Sequence, residues 1–455
     1  MFAKIALVSA NNYQIPYPVY PLGVSYLASY LNKNLPECSI EIFDFNLNSF
    51  EDYANFLRTN NFDFIGISLR NIDDTNIFTQ NDFILHYKKV IAVTRENTNA
   101  PVIIGGSGFS VFPEQIFATL EPDYAVHGEG EESLLRLIVA LKSGRKNFEQ
   151  IDGLAYRNSI GVIQFNKRSE YISSPTLTID NGLVDFYWNR SGMLNIQTKR
   201  GCPHNCIYCS YPLIDGSRVR TIDADTVVDN IEEMYHNKGV NYLFFTDSVF
   251  NIHNDYNREL AHKIIESNIK LRWGAYFSPG NLEREDLELY QKSGLTHVEF
   301  GSDSFSDILL EKYGKNFRFN DILEKSNCCS QLGIFYAHFL IIGGYGETED
   351  TLNETFENTK KLLPNSTVIF PYIGMRIYPN TKLFDIALSE GVINDDSVLI
   401  NPIYYVSNEV DINTLEKRAA DTGQKWIFPN NEMSPLIERF RAKKRRGPLW
   451  EYLRY

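Results

Sequence analysis

The chain has 455 residues, 43% of them hydrophobic and 22% charged, with a net charge of −13. That length exceeds one ordinary hydrophobic core and implies two or three domains. There is no run of about eighteen apolar residues, so no membrane span is expected, and the negative charge excludes a long-range field that would gather nucleic acid.

The N-terminus, MFAKIALVSANN, carries a short apolar run interrupted by Asn11 and Asn12, with no small-residue cleavage site after it, and reads as a first strand rather than a targeting segment. From residue 1 to about 150, apolar β-type runs (KIALVS, SIEIFDF, FDFIGISL, PVIIGG, YAVHG) alternate with helical patterns such as GVSYLASYLNKN and EESLLRLIVALKSG. This βαβ rhythm predicts an α/β, doubly wound, Rossmann-like domain with helices on both faces of a parallel sheet. Ligands of such sheets sit outside the carboxyl ends of the strands. The polar and glycine-rich stretches fall there: Asp44, Ser68 to Asp74 (SLRNIDD), Gly105 to Gly108 (GGSG) and Gly128 to Glu131 (GEGE).

Residues 151–190 carry turn signals without a helical period and are expected to form a hairpin and linker. A second βα series occupies 191–394, with strands expected at LNIQTK, NYLFFTD, LRWGAYF, THVEFGS, FYAHFLIIGG and TVIFPYIGMRIYP. Six such units predict a partial (β/α)6 barrel with its active site at the carboxyl ends. Residues 395–455 are weakly patterned and are assigned as a small C-terminal cap. Its basic run, Arg439 to Arg446, reads as a solvated helix face.

Six cysteines occur, at 38, 202, 206, 209, 328 and 329. They form no disulfide framework for a chain of this size and point to a metal site in a reducing, cytoplasmic compartment. The stretch Lys199-Arg-Gly-Cys-Pro-His-Asn-Cys-Ile-Tyr-Cys-Ser210 places Cys202, Cys206 and Cys209 in a loop directly after the first barrel strand. Three thiolates on a 4Fe–4S cluster leave one iron open to a small chelating ligand. A structural zinc site is the alternative, with His204 inside the loop but no second CxxC or CxxH pair after it. Cys328 and Cys329 fall in a predicted helix and read as packing residues, and His127, His297 and His338, on or beside strands, read as structural histidines.

The cysteine loop, with Tyr208 before its third cysteine, resembles the Cys-x3-Cys-x2-Cys signature of the radical S-adenosylmethionine (SAM) superfamily. The resemblance implies that SAM chelates the open iron and is cleaved by an electron from the cluster to a 5′-deoxyadenosyl radical. An electron donor such as a flavodoxin or ferredoxin follows from that chemistry. Further segments resemble the superfamily's SAM-contacting strand ends: FTDS with Asp247 and Ser248, VEFGSDS with Glu299 and Ser302, FLIIGGYGETED with Ile342 and Gly343, and MRIYPNTKLFDIA with Arg376.

A doubly wound domain before such a barrel resembles the cobalamin-binding subclass. The likeness rests on GISLRNIDD, IIGGSGFS and VHGEGEESL, and with the barrel it covers residues 1 to about 390. It implies cobalamin contacts from Ser68, Arg70, Asn71, Gly105, Gly106, Ser107, Gly128, Glu129 and Gly130, the glycines allowing close approach to the backbone. The chain departs from many cobalamin proteins in lacking an Asp-x-His-x-x-Gly motif. Its lower cobalt face is therefore expected to lack a histidine ligand and to meet the Arg70–Asn71 loop, Arg70 being also a candidate ion-pair partner of Asp73 or Asp74. The implied function is methylation of an unactivated carbon in a small molecule, a peptide or a lipid precursor. A non-methylating cyclisation or rearrangement and a non-catalytic cofactor-binding sensor are the alternatives. No catalytic side chain is assigned.

Overall fold

The Ile-, Val- and Phe-rich runs become short parallel strands whose side chains are almost wholly buried, because helices cover both faces of the sheet they form. In the computed structural model, residues 2–145, 147–172, 175, 177–431 and 433–453 are described. The chain divides into two units, one of residues 1–74, 81–186 and 213–216, the other of 75–80, 187–212 and 217–455.

In the first unit, β1 (Lys4–Ser9), β2 (Ser39–Asp44), β3 (Phe64–Ser68), β4 (Val102–Gly105), β5 (Tyr124–Val126), β6 (Leu154–Arg157) and β7 (Ile163–Phe165) form one sheet in the order β2-β1-β3-β4-β5-β6-β7. The first five strands run parallel, and β6 and β7 close the edge antiparallel. The order reverses between β1 and β3, and that switch point is where a doubly wound sheet opens a crevice at its carboxyl edge. Ile5, Leu7, Ile103, Val126, Leu134 and Leu137 make up much of the core on one face. The stretch 151–190 is not a free-standing joint: its hairpin extends this sheet, and Asn181–Ser191 is a helix. Its buried face is Leu183, Val184, Tyr187, Trp188 and Ser191, a short helical period opened by the poor helix formers Asn181 and Gly182; Ser173, Ser174 and Thr176 lie outside the described residues.

The second unit contains β8 (Leu194–Ile196), β9 (Lys199–Arg200), β10 (Arg220–Thr221), β11 (Tyr242–Phe245), β12 (Arg272–Phe277), β13 (Leu295–Asp303), β14 (Phe335–Ile342), β15 (Thr367–Ile373), β16 (Met375–Arg376), β17 (Tyr404–Tyr405) and β18 (Lys425–Trp426). Its main sheet runs β18-β15-β14-β13-β12-β11-β8 with every pair parallel. Alternation along β14 separates two environments. Leu340 and Ile342 join Phe305, Ile322, Leu352 and Phe356 under the helices, whereas Ala337 and Phe339 face the opposite, inner side with Trp450.

Two expectations need correction here. The segment TVIFPYIGMRIYP is not one strand: Gly374 has φ +72, and a Cβ there would lie 2.9 Å from the Tyr405 carbonyl oxygen. The chain turns at this glycine, and β16 pairs antiparallel with β17 outside the barrel sheet. The basic run is not uniformly solvated either. Arg446 lies 3.7 Å from the Trp188 ring centre and donates to the Trp188 carbonyl, burying an aromatic face that a charge count does not reveal.

A buried ion pair joins the start of the cysteine loop to the end of β11. Lys199 and Asp247 are each 1% exposed, with Nζ 2.8 Å from Oδ2. Lys199 Nζ also donates to Thr198 Oγ1 and Asn257 Oδ1, each at 2.8 Å, which uses all three ammonium donors. Asp247 accepts in addition from the Thr198 and Lys199 amides at 2.7 and 3.0 Å and from Thr198 Oγ1 at 2.5 Å. Removing the carboxylate strands a charge and two amides. Asp247→Ala is expected to cost about 3–5 kcal/mol and lower the thermal unfolding midpoint by about ten degrees. Lys199→Met, which leaves three donors on Asp247, should lower it less; the two midpoints, measured side by side, check this.

Candidate functional site

The cysteine loop follows β9, whose Lys199 and Arg200 pair with β10. Its middle is held by backbone bonds: the Ile207 amide donates to the Tyr313 carbonyl at 3.2 Å, and the Ile207 carbonyl accepts from Leu383 N at 2.8 Å. Gly314, at φ +78, lets the following turn approach Asn205, whose carbonyl would lie 2.9 Å from an added Cβ. Burial pushes the Cys206 thiol up, and the Cys202 thiolate adds to the rise. Cys209 is pushed up to about 12, first by burial and further by Cys206 and Cys202. Cys206 and Cys209 are thus electrostatic neighbours of each other and of Cys202, and three thiolates are the donor set an iron–sulfur cluster requires.

Beside the cysteines lies a network that the sequence reading missed. Tyr208 OH donates to Asp303 Oδ2, and Lys315 Nζ sits 2.6 Å from the same oxygen and 3.3 Å from the Tyr208 hydroxyl. Burial alone would lower the Lys315 pKa, but Asp303 and the thiolates of Cys206 and Cys209 hold it above the ordinary lysine value. Asp303 ends β13 with φ +59. Lys315 stands more than a hundred positions from Cys206, and no local pattern links them.

Several expected SAM contacts are engaged within the protein. Asp247 has its oxygens filled by Lys199 and Thr198. Ser302 Oγ bonds His338 Nδ1 at 2.8 Å on the helix-facing side. Arg376 donates to the carbonyls of Ile377 and Leu399 at 2.8 and 2.7 Å, clamping the chain beyond β16. Ile342 packs in the core, its carbonyl accepting from Gly374 N at 2.7 Å, while the Gly343 carbonyl accepts from Ser407 N at 2.8 Å. The motif spacing marked these positions, but only the packing shows where each polar atom points. Ser248 Oγ reaches the Gly201 carbonyl at 3.4 Å, at the root of the cysteine loop. Glu299 faces inward from the middle of β13, accepting from Trp450 Nε1 at 2.9 Å, and burial pushes it up to about 7. Glu347, in GGYGE, takes the Gly343 amide on Oε2, is pushed up to about 7 by burial, and leaves Oε1 without a partner.

In the first unit, the loops after β3 and β4 lock onto each other. Leu69 N donates to the Gly105 carbonyl at 2.8 Å, Gly108 N to the Leu69 carbonyl at 2.9 Å, and Ser107 Oγ to the Arg70 carbonyl at 2.6 Å. Gly106, at φ +95, would place a Cβ 2.6 Å from the Leu69 carbonyl and 3.0 Å from Ser68 Oγ; Gly105 would meet the Val126 carbonyl at 3.1 Å. These glycines thus admit the chain's own backbone. The Asn71 carbonyl accepts from Tyr87 OH at 2.5 Å. In the loop after β5, Gly128 N donates to Ser110 Oγ at 2.8 Å, Glu129 accepts from Ile172 N at 2.8 Å, and Gly130 packs on Leu27. Arg168, from the segment after β7, donates to the His127 carbonyl at 2.8 Å and to Ser133 Oγ at 3.0 Å beside a cavity of about 190 Å³. His86 bonds the Ala10 carbonyl through Nε2 at 2.8 Å and Asn12 through Nδ1 at 3.3 Å. Both its ring nitrogens are occupied, so it offers no lone pair to a metal near the β1 end. A polar, backbone-rich rim at the β1/β3 switch point fits a large nucleotide-tailed cofactor.

A sheet of this order followed by a parallel barrel with a three-cysteine loop defines a two-cofactor enzyme class. Residues 196–358 match the Radical SAM superfamily and residues 9–138 the B12 binding domain. The chain is a radical SAM enzyme that carries a B12-binding domain, and its cofactors are SAM, a 4Fe–4S cluster and cobalamin. It is 25% identical over 385 residues to an uncharacterized methyltransferase of Pyrococcus horikoshii, covering 82% of this chain and 79% of that one. It is 24% identical to the tryptophan 2-C-methyltransferase of Streptomyces laurentii, covering 82% and 73%. The fold matches the radical SAM methyltransferase TsrM from Kitasatospora setae, solved with tryptophan and aza-SAM, at a TM-score of 0.89, 21% identity and coverage of 99% and 97%.

Replacing any of Cys202, Cys206 or Cys209 by alanine should abolish the cluster's visible absorption and most bound iron, while Cys328→Ser and Cys329→Ala should retain both; iron analysis after anaerobic reconstitution decides. The folded chain keeps a proton on Glu347 that the unfolded chain releases above its ordinary 4.5, so this group's contribution to stability is lost as pH rises from 4.5 to about 7. Glu347→Gln should match wild type in thermal midpoint near pH 5 and exceed it near pH 8, a difference that unfolding scans across that range would measure.

Proposed function

We propose that this chain is a cobalamin-dependent radical SAM methyltransferase that adds a methyl group to an unactivated carbon of a small molecule. The observation that carries the reading is the pairing, in one chain, of the three-cysteine loop at the carboxyl ends of a parallel barrel with a 2-1-3-4-5 sheet whose switch point is rimmed by polar loops. The methyltransferase relatives support it.

When bound, the cluster and cobalamin supply one-electron cleavage of SAM and methyl-group transfer. Cys202, Cys206 and Cys209 would hold the cluster, and Ser68, Arg70, Asn71, Ser107 and the backbone of Gly105, Gly106, Gly128 and Gly130 would border cobalamin. Arg70 stays protonated and has no lone pair to donate, so it would border cobalamin as a charge and not as a metal ligand. Of the SAM positions, the Tyr208 backbone, Ser248 and Gly343 border the cysteine loop or the carboxyl ends of the strands, while Asp247, Ser302 and Arg376 brace them from behind. The Tyr208–Asp303–Lys315 network fixes the aromatic residue between two cluster ligands. A reduced flavodoxin or ferredoxin would supply electrons. No helix among the described residues is long and apolar enough to cross a membrane, and the free thiols of Cys202, Cys206, Cys209, Cys328 and Cys329 suit a reducing cytoplasm.

A non-methylating reaction with the same cofactors is the second reading. It draws support from 24% identity over 293 residues to the anaerobic magnesium-protoporphyrin IX monomethyl ester cyclase of Rubrivivax gelatinosus. Product analysis with SAM, cobalamin, a reductant and substrate separates the two. Methylation predicts S-adenosylhomocysteine and 5′-deoxyadenosine with methyl gain, and deuterium entering 5′-deoxyadenosine without methyl gain selects the cyclase-type reaction. Absence of both SAM products excludes both readings.

A further inference from the structure

The ion pair beside the cysteines has a direction. Lys315 follows the helix Asp307–Lys312 in a turn that lies on the cysteine loop. The Tyr313 carbonyl accepts from Ile207 N at 3.2 Å, and a Cβ on Gly314 would stand 2.9 Å from the Asn205 carbonyl and 3.8 Å from Cys206 Cα. The next residue, Lys315, therefore leaves the backbone beside Cys206. Its Nζ is 2.6 Å from Asp303 Oδ2 and 3.3 Å from the Tyr208 hydroxyl, which donates to the same carboxylate oxygen. The Lys315 and Asp303 side chains are 11% and 9% exposed, so water and salt screen neither charge well.

The two charges are unequal neighbours of the thiols. At Cys206 the Lys315 ammonium favours the thiolate and hydrogen-bonds the sulfur, and its field there exceeds the opposing field of Asp303. At Cys209 Lys315 again favours the thiolate, and both sulfurs in turn help to keep Lys315 protonated. The pair thus turns its positive end to the sulfurs. Asp303, at the end of β13, and Tyr208, whose ring centre lies 5.7 Å from Nζ, hold it in that orientation.

We propose that Lys315 raises the reduction potential of the cluster held by Cys202, Cys206 and Cys209, with Asp303 and Tyr208 positioning its ammonium beside the sulfurs. Reduction passes one electron from the donor to the cluster, adds one negative charge to a centre already ligated by three thiolates, and makes or breaks no bond at Lys315. A fixed cation beside two of those sulfurs stabilises the more negative, reduced state, and a hydrogen bond to a sulfur acts in the same direction. The cluster becomes easier for a protein donor to reduce before SAM is cleaved. The proposal rests on the cluster assignment and is independent of whether methyl transfer or another reaction follows.

Dye-mediated redox titration of the anaerobically reconstituted full chain without SAM, read by the electron paramagnetic resonance signal of the reduced cluster, tests this, with iron content and visible absorption reporting equal loading. Lys315→Met, which keeps the length and removes the charge, should shift the equilibrium about tenfold toward the oxidised cluster, about 59 mV lower for a one-electron couple. Lys315→Arg should stay closer to wild type. Asp303→Asn, which leaves the ammonium without its counter-charge, should move the midpoint the opposite way. A bridge that only braces the loop gives a different pattern, since Lys315→Met and Asp303→Asn break the same contact and would move the midpoint alike or not at all. An unchanged or raised midpoint in Lys315→Met, or shifts of the same sign in the two variants, would overturn the proposal. If Lys315→Met does not hold its cluster, the sign of the shift in Asp303→Asn decides alone. Wild-type protein that takes up no iron would defeat the cluster assignment itself, and the proposal with it.

Discussion

The Lys199–Asp247 pair is the constraint on which the barrel's working end depends. Parallel strands leave their functional loops at one edge, where chain ends would splay unless something ties them. Here a fully desolvated ammonium and carboxylate do so, joining the strand before the cysteines to the segment after β11, where Ser248, next to Asp247, reaches back to Gly201. Burial lowers the Lys199 pKa and Asp247 opposes the fall, while the neighbouring threonine and asparagine take the hydrogen bonds that the pair leaves over. A charge pair of this kind adds little net stability compared with an apolar isostere, but it fixes direction. The cysteine loop inherits its starting point from it.

The same logic runs through the first unit. Its glycines are required because the β3 and β4 loops press backbone against backbone, with no room for a Cβ at Gly106. A rim built this way is rigid before any ligand arrives. The polar groups that remain at the edge are presented by a frame already closed by its own hydrogen bonds, which favours binding by lowering the ordering that a ligand must impose.

Asymmetry between the faces of the barrel sheet gives the site its shape. The helix-facing positions are packed without gaps, while the inner positions of β12 to β15 are left open above and sealed below by Trp450 and Glu451. A carboxyl such as Glu299 can survive there because a single indole donor satisfies one oxygen and burial raises its proton affinity.

The order of domains, the parallel character of both sheets and the three cysteines could be read from the chain, because each is encoded locally: runs of Ile, Val and Phe at βα spacing, and thiols within eight residues. The roles of Asp247, Ser302 and Arg376 could not, since a polar residue at a strand end looks the same whether it faces a ligand or a neighbouring backbone. Lys315 beside Asp303, Trp450 against Glu299 and the two-residue strand β18 depend on contacts across tens to hundreds of positions, and β18 is too short to show a period. The sequence by itself determined which chemistry the chain can host, because cluster-binding thiols and glycine-rich loops are local patterns. Only the tertiary structure decided which polar atoms are left to meet a ligand, because that depends on the donors and acceptors that folding brings against them.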